Sequence, residues 1–370
     1  MSVPLLGDNP TGRLVPQPLA GWPAPAVLRA GEATGGAGMG MATRTLGRSG
    51  IQVSAMGFGC WAIGGPYWAG EQPLGWGEVD DEESVRALRR ALDLGITFFD
   101  TADVYGAGRS ERVLGRTLAG RRDEVVVATK FGNVFDESSR QLVGTDTTPE
   151  YVPRACEASL RRLGTDHLDL YQLHVGGLPD QVAASLRDAC QELVARGLVR
   201  AYAWSTDDLE GAALFAEGPG CTAVQHELNV LNDAPAMLAL CERLDLASVN
   251  RTPLAMGLLT GKFSAASRLP ADDVRGKEPE WMRYFRDGRP APEWLDRLAA
   301  VREVLTSGGR TLVQGALAWI WARSPRTVPI PGVRTVRQLE ENAAAMEFGP
   351  LTPEQVAEVD RLLARAPGEG

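Results

Sequence analysis

G-I-T-F-F-D-T-A-D-V-Y-G, residues 95–106, runs from a short apolar stretch into a polar loop through a single carboxylate, Asp100. Thr97-Phe98-Phe99 is too short for a helix and carries no polar face, which is the pattern of a strand covered on both sides. Before it, Glu83 to Leu94 has the spacing of an amphipathic helix. Working outward, the same alternation recurs. Further apolar runs stand at Ala55-Met56-Gly57-Phe58, Val125 to Ala128, Leu168 to Leu173, Ala201 to Trp204, Ala223-Val224-Gln225, Ala247-Ser248-Val249 and Thr327 to Ile330. Amphipathic stretches at Thr148 to Leu163, Asp180 to Arg196 and Leu312 to Ala322 lie between them. Strands apolar on both faces, each followed by a helix, specify a parallel sheet covered by helices. With the run at residues 97–99 there are eight such units, which close into a (β/α)8 TIM barrel more naturally than they form an open sheet. A doubly wound sheet would announce itself by GxGxxG after its first strand; here Gly57-Phe58-Gly59-Cys60 is followed by Trp61.

The flanks differ from this body. Residues 1–40 hold six Pro and eight Gly without apolar periodicity. They cannot bury enough surface to offset chain entropy, so a disordered leader is expected there and one barrel over residues 41–370. Thr43 to Leu46 and Ile51 to Val53, around Gly47-Arg48-Ser49-Gly50, read as an N-terminal hairpin. Thr352 to Ala364 reads as an additional C-terminal helix. The long irregular insertion from about Ser264 to Pro292 carries Trp281, Tyr284 and Phe285, apolar material for a lid over a substrate.

Composition narrows the partners. The chain has 370 residues, 44% hydrophobic and 23% charged, with a net charge of -9. That sign, with arginines and acids interspersed, argues against a nucleic-acid partner. No apolar run is long enough to span a bilayer, and the first residues lack a signal peptide's basic region and apolar core, so a cytoplasmic location is expected. Cys60, Cys156, Cys190, Cys221 and Cys241 form no CxxC pair; buried free thiols are expected, with no metal site.

Barrel enzymes place their chemistry where strands end and the following loops begin. The second run ends at Asp100 with Tyr105 shortly beyond, the third at Lys130, the fourth at His174. A carboxylate, a phenol, an ammonium and an imidazole therefore face one mouth. A phenol has an ordinary pKa of about 10 and is a poor acid at neutral pH. A neighbouring ammonium is expected to lower that pKa and make Tyr105 a general acid. Asp100 supplies the counter-ion for Lys130, and His174 can polarise a carbonyl oxygen.

With these residues in place, residues 43 to about 347 resemble the aldo-keto reductase family. The stretch 95–106 with Ser110-Glu111 and Leu114-Gly115 matches its first signature, and Leu160 to His174 (LRRLGTDHLDLYQLH) its second. Ile330-Pro331-Gly332 through Glu341-Asn342 matches its third. The resemblance implies a catalytic tetrad of Asp100, Tyr105, Lys130 and His174, and NADPH extended across the barrel mouth without a Rossmann fold. It implies that Ser205 and Gln225 hold the carboxamide, although Thr206 stands where the family usually has Asn. Arg251, before Thr252-Pro253-Leu254, takes the place of an aromatic ring stacked on the nicotinamide; a planar guanidinium can stack too. Gly257 and Lys262 fall in the family's loop over the pyrophosphate. Gly332, Arg334, Gln338, Glu341 and Asn342 fall in the segment that grips the adenosine 2′-phosphate and adenine, with Arg334 the phosphate partner. Trp61 matches a substrate-pocket position, with Tyr67, Trp68 and Trp76 further candidates.

The implied activity is reduction of small aldehyde or ketone carbonyls to alcohols by hydride transfer, with Tyr105 as the acid. A cofactor-sensing regulatory subunit, like the potassium-channel β-subunits that share this fold and tetrad, is the alternative. Hydrolase or isomerase chemistry on the same barrel is a third.

Overall fold

The computed structural model describes residues 42–277, 279 and 281–365. The leader expected at residues 1–40 lies outside them. Eight parallel strands run in chain order: β1 (Phe58–Gly59), β2 (Phe98–Asp100), β3 (Val126–Phe131), β4 (Leu168–Leu173), β5 (Val199–Ser205), β6 (Cys221–Glu227), β7 (Ala247–Arg251) and β8 (Thr327–Pro329). Each pairs with its sequence neighbour, and a parallel bridge between Gly59 and Gly332 joins the last to the first. The seam is tight. Gly57 N donates to Pro329 O at 2.9 Å and Gly59 N to Pro331 O at 3.0 Å. A Cβ on Gly59 would lie 2.6 Å from Ile330 O, so the closing strand approaches only because this position has no side chain.

The expected barrel is the fold found, and strand boundaries shift by a few residues. The first run was expected at residues 55–58; pairing begins at Phe58, because Ala55 N and Gly57 N are spent on the hairpin and on β8. The hairpin, Thr43–Thr45 with Gln52–Ser54, plugs the bottom. Its Leu46, Ile51 and Val53 join the barrel interior, made of Phe98, Leu170, Val249 and Ile330 against small Ala201, Ala203, Ala223 and Ala247. Arg48 fastens it by donating to the carbonyls of Cys221, Ala216 and Gly218.

The helices form where caps and faces dictate. Helix α1 (Asp81–Asp93) starts at Asp80, whose carboxylate accepts from the amides of Glu82 and Glu83, and it buries Ala87, Leu88 and Ala91. Helix α2 (Arg109–Leu118) follows β2, α3 (Tyr151–Leu163) follows β3 and α4 (Asp180–Ala195) follows β4. Helices α5 (Leu209–Phe215) and α6 (Pro235–Arg243) follow β5 and β6. Two helices, α7 (Pro292–Thr306) and α8 (Leu312–Arg323), separate β7 from β8. Leu312 through Trp321 are all buried, so α8 is apolar all round rather than amphipathic. After β8 come α9 (Val336–Ala343), α10 (Ala345–Phe348) and α11 (Pro353–Leu362), the last begun by a capping box of Thr352 and Gln355.

Two additions build up the mouth. Trp68–Ala69 and Gln72–Pro73 after β1 join Asn133–Asp136 and Gln141–Thr145 after β3 in a four-stranded sheet. The insertion after β7 carries a short hairpin, Phe285–Arg286 with Arg289–Pro290, and bridges back to the first loop through Trp76 and Asp273. All five cysteines are buried thiols. No helix among the described residues is long and apolar enough to cross a membrane.

Candidate active site

A cleft of about 1200 Å³ opens at the C-terminal ends of the strands. Asp100 closes β2; Lys130 projects from β3, fully buried. Lys130 Nζ donates to Asp100 Oδ2 at 2.6 Å, to Thr101 O at 2.9 Å and to Tyr105 Oη at 3.2 Å, so its three protons are all placed. Asp100 Oδ1 accepts from Gln225 Nε2 at 2.7 Å and from Gln172 Nε2 at 2.9 Å. Gln225 Nε2 also donates to Gln172 Oε1 at 3.1 Å. A buried charge pair is tolerable only when its remaining donors and acceptors are satisfied, and here they are.

Tyr105 stands on a turn that glycine makes possible. Gly106 has φ +60°, and a Cβ there would lie 1.9 Å from Gly64 O. The phenol ring stacks on Trp61 (centroids 5.9 Å apart) and meets the edge of His174 at 5.8 Å. Burial pushes the Tyr105 hydroxyl well above its ordinary pKa, Asp100 adds to the rise and Arg251 opposes it. The expected lowering by Lys130 is thus absent: the ammonium is neutralised by Asp100, and desolvation dominates. Burial, with Lys130 and Arg251 nearby, holds His174 well below 6.5, so its imidazole is neutral.

The cleft lining includes Trp61, Asp100, Tyr105, His174, Ser205, Gln225, Arg251, Pro253, Leu254, Gly257, Lys262, Gly332, Arg334, Gln338, Glu341 and Asn342. Lys130 lies beneath it. Ser205 ends β5, and its hydroxyl reaches Gln225 Oε1 at 3.5 Å. It caps no helix: Asp208 caps α5, and Thr206 Oγ1 accepts from the Asp208 amide. Arg251 ends β7, half-buried, with its guanidinium on Asp207 and Glu227. Thr252, Ala255 and Met256 take positive φ near +50° before Gly257 at +89°, turning the backbone sharply along the cleft. Burial and the neighbouring cations Arg275 and Arg334 lower the pKa of Lys262. The Arg334 guanidinium donates to the carbonyls of Trp76 and Glu78, which ties the loop after β8 to the loop after β1. Its backbone N–H donates to Gln338 Oε1.

Of the aromatic candidates, Tyr67 and Trp76 line the cleft with Trp61, whereas Trp68 lies in the accessory sheet away from the lining. From the insertion, Trp281 lies 6.1 Å from Trp61 and half-exposed; Tyr284 is buried on the lining with its hydroxyl on Glu227 and Asn229; Phe285 packs behind. Three groups escaped the sequence reading. Gln172 lies inside the run at residues 168–173 and Glu227 just past the run at 223–225, and a residue's polarity there is the one available signal. Arg275, fully paired with Asp273 and set 4.5 Å over Trp76, carried none.

These residues fit a dinucleotide. Asn342 Nδ2 and His174 Nδ1 are buried polar atoms without a hydrogen-bond partner, Asn342 is nine-tenths buried on the lining, and Gly332 leaves the backbone open beside Ala62. Among the described residues, no group of acidic, histidine or cysteine side chains could hold a metal ion.

Fold and site together define a (β/α)8 barrel with a buried carboxylate–ammonium–phenol chain at its mouth. The chain belongs to the aldo/keto reductase family, whose model matches residues 55–364. It is 30% identical over 320 residues to the aldo-keto reductase yakc [NADP(+)] of Schizosaccharomyces pombe, covering 84% of this chain and 88% of that one. The glycerol dehydrogenase of Gluconobacter oxydans superposes with a TM-score of 0.73 at 29% identity, covering 87% and 95%. An aldo-keto reductase of Klebsiella pneumoniae, solved in complex with NADP and acetate, gives 0.64 at 27% identity, covering 88% and 97%.

Proposed function

We propose that the protein is an NADP(H)-dependent reductase that converts aldehyde or ketone carbonyls to alcohols, with Tyr105 as the proton donor. The observation that carries this reading is the hydrogen-bonded chain Asp100–Lys130–Tyr105 ending beside a neutral His174 in an aromatic cleft. When bound, the reduced nicotinamide supplies the hydride. The Tyr105 hydroxyl gives its proton to the carbonyl oxygen as charge grows there, and the phenolate left behind faces Lys130 Nζ across 3.2 Å. His174, neutral, donates a hydrogen bond to the same oxygen. Trp61, Trp76 and Tyr67 exclude water and favour an apolar or aryl carbonyl.

The amide ring leaves Gln225 Oε1 free of Asp100, so Gln225 and Ser205 are assigned to the carboxamide. Arg251, backed by Asp207 and Glu227, is assigned to the nicotinamide face, with Pro253 and Leu254 beside it. Gly257 and Lys262 are assigned to the pyrophosphate. Gly332, Arg334 and Gln338 are assigned to the 2′-phosphate, and Glu341 and Asn342 to the adenine. The test is loss of NADPH absorbance with a panel of aldehydes, ketones and sugars. Stoichiometric NADPH binding without turnover on any of them would favour the regulatory-subunit alternative and defeat this reading.

A further inference from the structure

Gln172, like Lys130, belongs to the polar layer beneath the cleft and is not part of its lining. It is fully buried in β4, paired in register with Lys130 on one side and Ala203 on the other. Ala201 and Ala203 leave room across β5, and Gln225 reaches over them from β6. The two glutamines then close a ring on one carboxylate oxygen: Gln172 Nε2 to Asp100 Oδ1, Gln225 Nε2 to the same oxygen, and Gln225 Nε2 to Gln172 Oε1. Oδ1 can meet no cation in this arrangement, so Oδ2 alone faces Lys130.

We infer that Gln172 is a positioning residue of the reaction: it fixes Asp100 through Oδ1 so that Lys130 is held on Tyr105. The inference rests on the reductase reading above. Lys130 Nζ has three protons and three acceptors, one of them the phenol. Rotation of the Asp100 carboxylate would drag the ammonium off that third acceptor, because the charged contact at 2.6 Å outweighs the neutral one at 3.2 Å. Two neutral amide donors lock the rotation without bringing a second cation, so the ammonium's charge stays directed at Tyr105. Gln225 alone cannot do this, since it also lines the cleft and its oxygen faces Ser205.

Two substitutions test the role. Gln172→Met keeps length and shape but has no donor. It is expected to lower kcat with para-nitrobenzaldehyde on the order of tenfold, the scale of a lost hydrogen bond to a charged group, with the NADPH Kd within about twofold of wild type. Gln172→Glu keeps a donor only while protonated. The charges facing it are Asp100 from β2 and Lys130 from β3, with Tyr105, His174 and Cys60 beyond them. Beside Asp100 the new carboxyl shares a site with a carboxylate, which raises its pKa. Its turnover should match wild type in the acid range and fall away as pH rises through that raised pKa.

The cofactor-free Gln172→Glu protein gives a second readout. Its folded-state pKa is raised, so its Tm should drop relative to wild type as pH rises through that pKa. Gln172→Met with wild-type kcat, or Gln172→Glu with a pH profile parallel to wild type, would overturn the inference. Failure of both variants to fold, or loss of NADPH affinity in step with turnover, would assign Gln172 to the scaffold and overturn it equally. Wild-type protein that turns over no carbonyl at all would instead defeat the reductase reading.

Discussion

Tyr105 carries the largest single effect expected at the residue scale. Tyr105→Phe removes one hydroxyl from a ring held by Trp61 and His174, so NADPH binding and Tm should hold while kcat falls. Loss of a general acid is typically worth about 10² to 10⁴-fold. Aldehyde reduction near the wild-type rate in that variant would remove Tyr105 from the mechanism. A second residue contributes to the acid stability. His226, buried in β6 with Nε2 2.7 Å from Ser248 Oγ, is lowered from 6.5 to about 4 by desolvation. Its folded pKa is depressed, so the unfolded chain binds the extra proton first. Stability is therefore full above about 6.5 and lost as pH falls from there to about 4, by up to roughly 3 kcal/mol. Denaturant titrations at pH 7 and 4.5 should show that difference shrink by about this amount in His226→Gln. An unchanged pH dependence would mean that His226 does not carry it.

At the scale of elements, the loops after the strands place these residues. Gly106 ends the turn that presents Tyr105, and Gly106→Ala adds both a strained φ and a contact with the Gly64 carbonyl. A destabilisation of at least about 2 kcal/mol is expected, read by denaturant titration. Because the turn itself must move, kcat should fall further than the loss of folded protein explains. The insertion after β7 is pinned at Arg275. Its guanidinium forks onto Asp273, donates to Met256 O at 3.0 Å and lies against Trp76, Phe263 and Phe285. Arg275→Lys keeps the charge but not the fork or the stacking. It should speed proteolytic nicking between residues 264 and 290 and weaken NADPH binding a few-fold. Cleavage as slow as in wild type would show that the hairpin at residues 285–290 holds the insertion by itself.

Across the whole molecule, Arg334 joins the loop after β8 to the loop after β1 at the cleft. Two of its five donors serve the carbonyls of Trp76 and Glu78, which leaves three for a 2′-phosphate. One charged hydrogen-bonding partner is worth roughly 1.5–3 kcal/mol, or about 10 to 150-fold. Arg334→Ala is therefore expected to weaken NADPH by about tenfold or more. NADH should weaken only slightly, through the loosened first loop. Equal NADPH Kd values before and after the change, by cofactor fluorescence, would reject the assignment. The residues 95–106 and their seven counterparts were enough to specify the barrel, because strands covered on both faces must be apolar throughout and that period is local. The same locality exposed Asp100, Tyr105, Lys130 and His174, which stand at run ends where an ionisable residue is out of place. Pairings between distant segments left no such trace. The Gln172–Gln225 ring depends on small alanines in an intervening strand, the Arg275 clamp on aromatics from two loops, and the raised Tyr105 pKa on desolvation rather than on the nearest charge. Burial and through-space contact exist only once the barrel has closed, so these were decided by the tertiary structure.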